Sequence, residues 1–273
     1  MKSKNHTVAV LMSVYDGDQL QYFKEAVDSV LEQTYPEVDL YIYADAVSKP
    51  ELIDYIKILE NNKKVFIKKG EFRKGLAFGL NMLLEEIKYK NYGYLARMDS
   101  DDISLKDRLQ NQVDFLNSNI DIAVVGGNCI EISCDGKPLF QKKMPETHEE
   151  IIKSIIKRCP FIHPAVMFRG RIIQDIKYDN TLMNTQDYYL WVDLTAKGYK
   201  FHNLQEFLLK FRVSNDFYNR RGLNKIKNEM KSRFYAMRKL NNHSFSNYTF
   251  LIMLFFLRIA PVRIKKFCYM KMR

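Results

Sequence analysis

Tyr92-Gly93-Tyr94-Leu95-Ala96-Arg97-Met98-Asp99-Ser100-Asp101-Asp102 is the stretch on which the fold turns. Residues 92–98 read as a short apolar strand, and three carboxylates within four residues follow it directly. Like charges that close repel. They are tolerated in a loop open to water, or compensated by a divalent cation, for which hard carboxylate oxygens are suitable ligands. The other reading of these residues is an acidic cap on a helix beginning near Ser104.

Upstream, strand and helix alternate four times. Thr7–Val14 is a strand, and Leu20, Phe23, Val27, Val30 and Leu31 recur at helical spacing as far as Pro36. Asp39–Ala44 is β-rich, and Ser48-Lys49-Pro50-Glu51 reads as an N-cap and early proline opening a helix through Leu59. Val65–Ile67 and a helix over Gly75–Ile87 complete the third unit before the strand at 92–98. Parallel strands need crossovers and helices supply them, so the spacing predicts an α/β fold with an open, largely parallel sheet covered on both faces. Ligands then belong at the strands' C-terminal ends. Downstream the expectation is a helix over Ser104–Leu116, a strand at Ile122–Val125 and a hairpin turn at Cys134-Asp135-Gly136-Lys137. A helix over Thr147–Arg158, a strand at Ala165–Phe168, a helix over Asp187–Ala196 and strands at Lys200–Asn203 and Phe207–Val213 finish one domain, residues 1–215.

Residues 216–273 differ in character. The chain of 273 residues carries 43 Lys and Arg against 32 Asp and Glu, a net of +11, but 14 of the basic groups and one acid, Glu229, fall between Arg220 and Arg273. The preceding 219 residues are nearly neutral, so the whole protein does not read as a basic nucleic-acid binder. Leu223, Ile226, Met230, Phe234 and Met237 form one apolar stripe on a basic helix, and Tyr248–Leu257 is uncharged and apolar. That run is about half a bilayer-spanning length. Two readings stand side by side: a helix lying on an anionic membrane surface, and a helix packed on the main domain. Cys129, Cys134, Cys159 and Cys268 form no Cys-x-x-Cys pair, which argues against a disulfide framework and a zinc site and fits a reducing cytosol. Val8–Met12 is too short for the core of a signal peptide, so export by that route is not expected.

Two more carboxylates fall where chemistry is expected. Asp45 ends the second strand on the ligand edge, or is an ordinary turn residue. Asp187, in Gln186-Asp187-Tyr188-Tyr189-Leu190-Trp191, opens an aromatic-rich helix whose N-terminus favours the ionised form. It reads either as a cap or as a general base.

Val10-Leu11-Met12-Ser13-Val14-Tyr15, Ser29–Tyr35, Arg97–Ser104, His163-Pro164 and Gln186–Trp191, in that order across residues 6–213, resemble family-two glycosyltransferases of bacterial O-antigen and capsular polysaccharide assembly. The resemblance implies a GT-A fold and an inverting transferase that uses a UDP-sugar, with glucose or galactose favoured. By the same resemblance, Ser13, Tyr15 and Arg97 belong to the donor pocket and Asp45 to the uracil or ribose contact. Asp99 and Asp101 match the Asp-x-Asp element that holds Mn²⁺ or Mg²⁺, with Asp101 the direct ligand and Asp102 in support. Asp187 matches the base, and His163, Gln186 and Trp191 lie toward the acceptor. The implied acceptor is a GlcNAc or GalNAc diphosphate on undecaprenol at the cytoplasmic face of the inner membrane, a partner for the basic tail; no nucleic-acid partner is expected.

The chain departs from the family at three places. Ala44-Asp45-Ala46-Val47 stands where Asp-Asp-Gly-Ser is frequent, leaving Asp45 alone for the base contact. Gln186 replaces an acidic neighbour of Asp187, which removes a like charge. Arg73-Lys74-Gly75 replaces Asn-x-Gly, and its cations either approach the donor diphosphate or form a solvated turn. Two other classes fit the sequence less well. Metal-dependent phosphoryl transfer lacks the Thr expected after the acidic motif of haloacid-type phosphatases, and a nucleic-acid or scaffold module leaves Asp45, Asp99, Asp101 and Asp187 unexplained.

Overall fold

Strand β1 (Val8–Tyr15) is apolar along most of its length because it is central: β2 (Val38–Asp45) pairs on one side and β4 (Tyr94–Arg97) on the other, both parallel to it. In this computed structural model, which describes residues 5–182, 184–213 and 223–259, β3 (Val65–Gly70) extends the parallel half beyond β2. Alternate residues feed two separate cores, as the two-residue repeat of a strand requires. Val8, Val10, Met12 and Val14 meet α1 (Leu20–Leu31), α2 (Pro50–Leu59) and α4 (Arg108–Ser118) on one face. Ala9, Leu11, Tyr41 and Tyr43 meet α3 (Leu76–Ile87) on the other, which α5 (His148–Ser154) and α6 (Gln186–Ala196) also cover. Gly79 sets the approach of α3: a Cβ there would lie 2.6 Å from the Tyr43 ring and 3.1 Å from Ser13 Oγ.

The parallel order ends at β4. There β8 (Met167–Arg169) pairs antiparallel, followed by β6 (Ile122–Ile132), β9 (Lys200–Arg212) and β5 (Ile103–Ser104), with β7 (Pro138–Lys142) on the far part of β6. The sheet is therefore α/β and Rossmann-like in its first half and mixed in its second. The expected helix from Ser104 starts instead at Arg108, after the β5 bridge, so the three carboxylates cap no helix. The two strands expected over residues 200–213 are one continuous β9, and Ile122–Val125 is the start of an eleven-residue β6. Irregular register at Gly127 and Asn128 is absorbed by Asn128, which donates to the Gln205 carbonyl (2.7 Å) and accepts from the Met144 amide (2.8 Å). Ser48 does not cap α2; its amide and hydroxyl both donate to Asp16.

Helices α7 (Leu223–Lys239) and α8 (Phe245–Ile259) follow. Ala236, Met237 and Leu251 are buried against Ile155, Ile156, Tyr188 and Val192, so the packing alternative for this region holds on its inner face. The outer face of α8 stays apolar and exposed through Phe245, Ile252, Met253 and Phe256. The expected boundary near residue 215, the cations Arg220, Arg221 and those from Arg263 onward, and Cys268 lie outside the described residues. Among the described residues, no helix is long and apolar enough to cross a membrane.

Candidate functional site

Strand β4 ends in Arg97, and Met98 turns the chain out of the sheet with its amide donating to Leu11 O (3.0 Å). Arg97 is buried; its guanidinium donates to Leu11 O (3.3 Å) and pairs with Asp99, so it orients the acidic loop from below. Carboxylate oxygens of Asp99, Asp101 and Asp102 lie within 4.8 Å of one another. Asp18, from the loop after β1, joins them: its Oδ2 accepts from Ser100 Oγ (2.8 Å) and from the Tyr15 amide (3.0 Å). Burial, together with the Asp99 and Asp18 charges, pushes Asp101 up to about 7. Burial holds Asp18 at about 6 despite the Ser100 and Tyr15 bonds, and burial beside Asp101 and Asp99 raises Asp102 well above the carboxylate range. Without a cation these groups cannot all ionise at neutral pH.

The donor set fits a dication. Asp102 Oδ1 accepts from the Arg212 amide (2.8 Å), whereas its Oδ2 is buried with no partner. Hard oxygens at this spacing suit Mg²⁺ or Mn²⁺. Arg212 closes the cluster from β9: it pairs with Glu25 (2.6 Å), lies over the Tyr22 ring and donates to the Asp101 carbonyl (2.8 Å).

Beside the acidic loop runs the end of β1. Ser13 is part-exposed, and the Tyr15 ring lies under the Arg73 guanidinium, 4.6 Å from ring centroid to Cζ. Asp45 is on the same edge but nearly buried, and its two oxygens accept from the Lys74 (2.9 Å) and Gly75 (2.8 Å) amides. It thereby fixes the loop that carries the three-residue departure Arg73-Lys74-Gly75.

Asp187 stands in the first turn of α6, with the Cys159 thiol 4.0 Å from its Oδ2. Burial raises its carboxyl, the Tyr188 and Asp187 amides oppose that, the Asp99 charge adds to it and the Arg233 charge offsets it. Burial raises the Tyr178 hydroxyl, the Arg97 charge opposes this, and the Asp187 and Asp99 charges add to it. His163 Nε2 meets Tyr178 OH (2.9 Å), and burial and the Arg97 charge keep the imidazole neutral far below its usual range. Gln186 Oε1 is buried without a partner. Trp191 has no exposed surface: it packs on Phe161 and Phe168 behind His163, so its placement is core rather than acceptor-facing.

The structure thus gathers Arg97, Asp99 and Asp101 with Asp102, sets Ser13 and Tyr15 on the adjacent strand, and places Asp187 in the first turn of α6 and His163 in the turn before β8. Sequence reasoning missed Asp18, Arg212, Tyr178 and Arg233. Asp18 alone had a signal, since it sits in the loop after a C-terminal strand end; the others come from remote segments.

Comparison with known proteins agrees with this geometry. The family model for glycosyl transferase family 2 matches residues 9–177. An uncharacterised glycosyltransferase of Methanocaldococcus jannaschii is 30% identical over 255 residues, 91% of this chain and 85% of that one. The UDP-Gal:alpha-D-GlcNAc-diphosphoundecaprenol beta-1,3-galactosyltransferase of Escherichia coli is 29% identical over 271 residues, 96% of this chain and 95% of that one. Among solved structures, S. aureus TarS 1-349 in complex with UDP superimposes with a TM-score of 0.65 at 16% identity, covering 95% of this chain and 77% of that chain. The mannosyltransferase PcManGT of Pyrobaculum calidifontis, in complex with GDP-Man and Mn²⁺, gives 0.64 at 14%, covering 93% and 70%. These likenesses establish the GT-A-like fold. With the family model spanning more than half its length and a 30%-identical relative covering most of it, the chain belongs to glycosyl transferase family 2.

Proposed function

We propose that the protein transfers one hexose from a UDP-sugar, with inversion, to a sugar carried on a lipid diphosphate in O-antigen or capsule assembly. The observation that carries this reading is the clustered carboxylate loop Asp99–Asp102 at the end of β4, in a chain that has a separate carboxylate, Asp187, at the start of α6. The E. coli relative named for a UDP-galactose donor and a GlcNAc-diphosphoundecaprenol acceptor supports the substrate classes.

In this reading Ser13 and Tyr15 line the nucleotide side, and Asp45 shapes it by holding the Lys74–Gly75 backbone. Asp101 and Asp99 hold Mn²⁺ or Mg²⁺, with Asp102 in support. The bound ion supplies neutralisation of the charge that develops on the leaving diphosphate. Asp187 accepts the proton of the acceptor hydroxyl as that oxygen bonds to the anomeric carbon; the bond from that carbon to the diphosphate breaks and UDP departs. One displacement converts an α-linked donor to a β-glycoside. A neutral His163, fixed by Tyr178, presents a hydrogen-bonding edge on the acceptor side without adding charge next to Asp187.

The exposed apolar face of α8 supports a peripheral seat on an anionic membrane, with Lys227, Lys231 and Arg238 of α7 exposed nearby in sequence. Such a face inserts shallowly while cations meet headgroups, each worth about 1 kcal/mol.

The test is a UDP-sugar screen with Mn²⁺ and a synthetic GlcNAc-diphosphate-lipid, following UDP release. Acceptor-dependent release from one donor, lost with EDTA and in Asp101→Ala and Asp187→Ala, is the expected result. Failure to bind any nucleotide sugar would overturn it. For the membrane seat, Phe255→Ser with Phe256→Ser should reduce co-sedimentation with anionic vesicles; unchanged binding argues against it.

A further inference from the structure

A groove of about 780 Å³ lies outside the site described above, between the segment 175–181, the outer side of α6 and helix α7. Its volume falls within the range of about 300–1,000 Å³ usual for small-molecule sites. Its inner end is formed by Tyr178, whose hydroxyl meets His163, and by Leu190, one helical turn beyond Asp187. From Leu190 it follows α6 to Lys197, about 10 Å at the helical rise. The groove therefore shares Tyr178 with the surroundings of His163, the side read above as the acceptor's.

Its chemistry narrows the ligand. Three carboxylates, Asp175, Asp179 and Asp193, face three ammonium groups, Lys177, Lys197 and Lys239, so the walls carry no net charge. Lys197 pairs with Asp175 (2.6 Å) and Lys239 with Asp193 (3.6 Å), so two of the three lining cations are already neutralised. Leu190 and Ala196 are the aliphatic side chains of the lining, beside the Tyr178 and Tyr235 rings. What remains is a dense set of fixed donors and acceptors beside an aromatic side chain. Asp179 accepts from the Thr181 amide (2.8 Å) and hydroxyl (2.6 Å). The Tyr235 hydroxyl donates to Asp193 (2.5 Å), and its ring stacks on Tyr189 at 4.5 Å. Neutral, hydrogen-bond-rich walls with a locked aromatic ring match the alternating hydroxyl and C–H surfaces of a sugar chain.

We propose that this groove binds the already assembled, uncharged part of a glycan acceptor, the sugars beyond the one that receives the transferred residue. This rests on the acceptor reading above and deepens it: the preferred acceptor is an oligosaccharide rather than a single sugar on its carrier. Helix α7 is then part of the acceptor site.

The experiment compares diphosphate-lipid acceptors bearing one and three neutral sugars, in the wild type and in Ala196→Trp and Thr181→Trp. Both positions are exposed in the groove wall and tolerate bulk without disturbing a core. The expected result is a KM at least tenfold lower for the three-sugar acceptor, with the ratio of the two KM values falling toward one in both variants while UDP-sugar KM reports an intact donor side. Saturation-transfer NMR with the free neutral trisaccharide in the presence of UDP reads the groove without turnover; its signal should vanish in Ala196→Trp. A KM ratio near one in the wild type, a ratio the variants leave unchanged, or no trisaccharide signal would overturn the proposal. If no lipid acceptor of any length turns over while the trisaccharide signal is present and lost in Ala196→Trp, the groove stands and the lipid-acceptor reading falls.

Discussion

The two halves of the sheet present their chemistry by different means. In the parallel half, β1, β2 and β4 end on one edge, and Ser13, Tyr15, Asp45 and Arg97, proposed above for the donor, are all strand residues. In the mixed half the strands supply little. Asp187 sits on α6, His163 in a turn before β8, Tyr178 in a loop, and the charge that offsets the burial of Asp187 comes from Arg233, far along the chain on α7. The first arrangement follows from topology alone. The second is assembled by tertiary packing.

The largest test of that division is a pair of substitutions. Asp187→Asn should lower kcat about 10²–10⁴-fold and leave UDP-sugar affinity intact, whereas Asp101→Asn should weaken metal-dependent donor binding; titration calorimetry with UDP and Mn²⁺ separates them. Equal loss of donor binding in both would erase the distinction. Next in size, Met237→Ala, at a fully buried contact between α7 and the domain, should cost about 2–5 kcal/mol in denaturant unfolding. In the folded fraction it should raise acceptor KM more than donor KM.

A third outcome concerns the donor half alone. Asp18 at about 6 and Asp101 at about 7 sit above their unfolded value near 3.9, so the native state holds these protons more tightly than the unfolded chain. Their protonated forms favour folding; stability should fall as pH rises from about 4 through 7 and then level. Mn²⁺ at a hundredfold excess over its Kd should restore about 2.7 kcal/mol at pH 8, roughly 5–10 °C in Tm. A metal-free Tm that rises over this pH range would contradict the assignment.

On the acceptor side, Arg233→Met removes the charge that opposes the raised carboxyl of Asp187, so the acid limb of the kcat–pH profile should move to higher pH. An unmoved limb would detach α7 from the chemistry. The smallest effect returns to the donor edge. Ala46 holds φ of 52° after β2, and Ala46→Gly should stabilise by about 0.5–1 kcal/mol without altering kcat.

The same division explains what was legible in the sequence. The β1-to-β4 run is written in local periodicity, and its carboxylates follow strand ends, so both elements and donor residues emerge from spacing. The second half hides its order. Gly126-Gly127-Asn128 and Asn203-Leu204-Gln205-Glu206 look like strand breaks, yet β6 and β9 run through them because Asn128 and Asn203 satisfy neighbouring backbone groups. Antiparallel pairing of β4 with β8 across some 70 residues leaves no local mark. Nor does Trp191: an aromatic beside a base reads as a ligand platform, and only the packing of Phe161 and Phe168 shows it to be interior.

That burial gives the protein an optical reporter of its own. Trp191 is the sole tryptophan, fully enclosed and with an indole N–H that has no partner, in edge contact with the His163 ring. Its emission arises from one layer of the molecule, directly behind His163 and on the opposite side of β4 from the β1–β2 edge. Nucleotide titrations should leave that spectrum almost still, and glycan titrations should move it, so fluorescence resolves the two half-reactions of binding in an unlabelled enzyme.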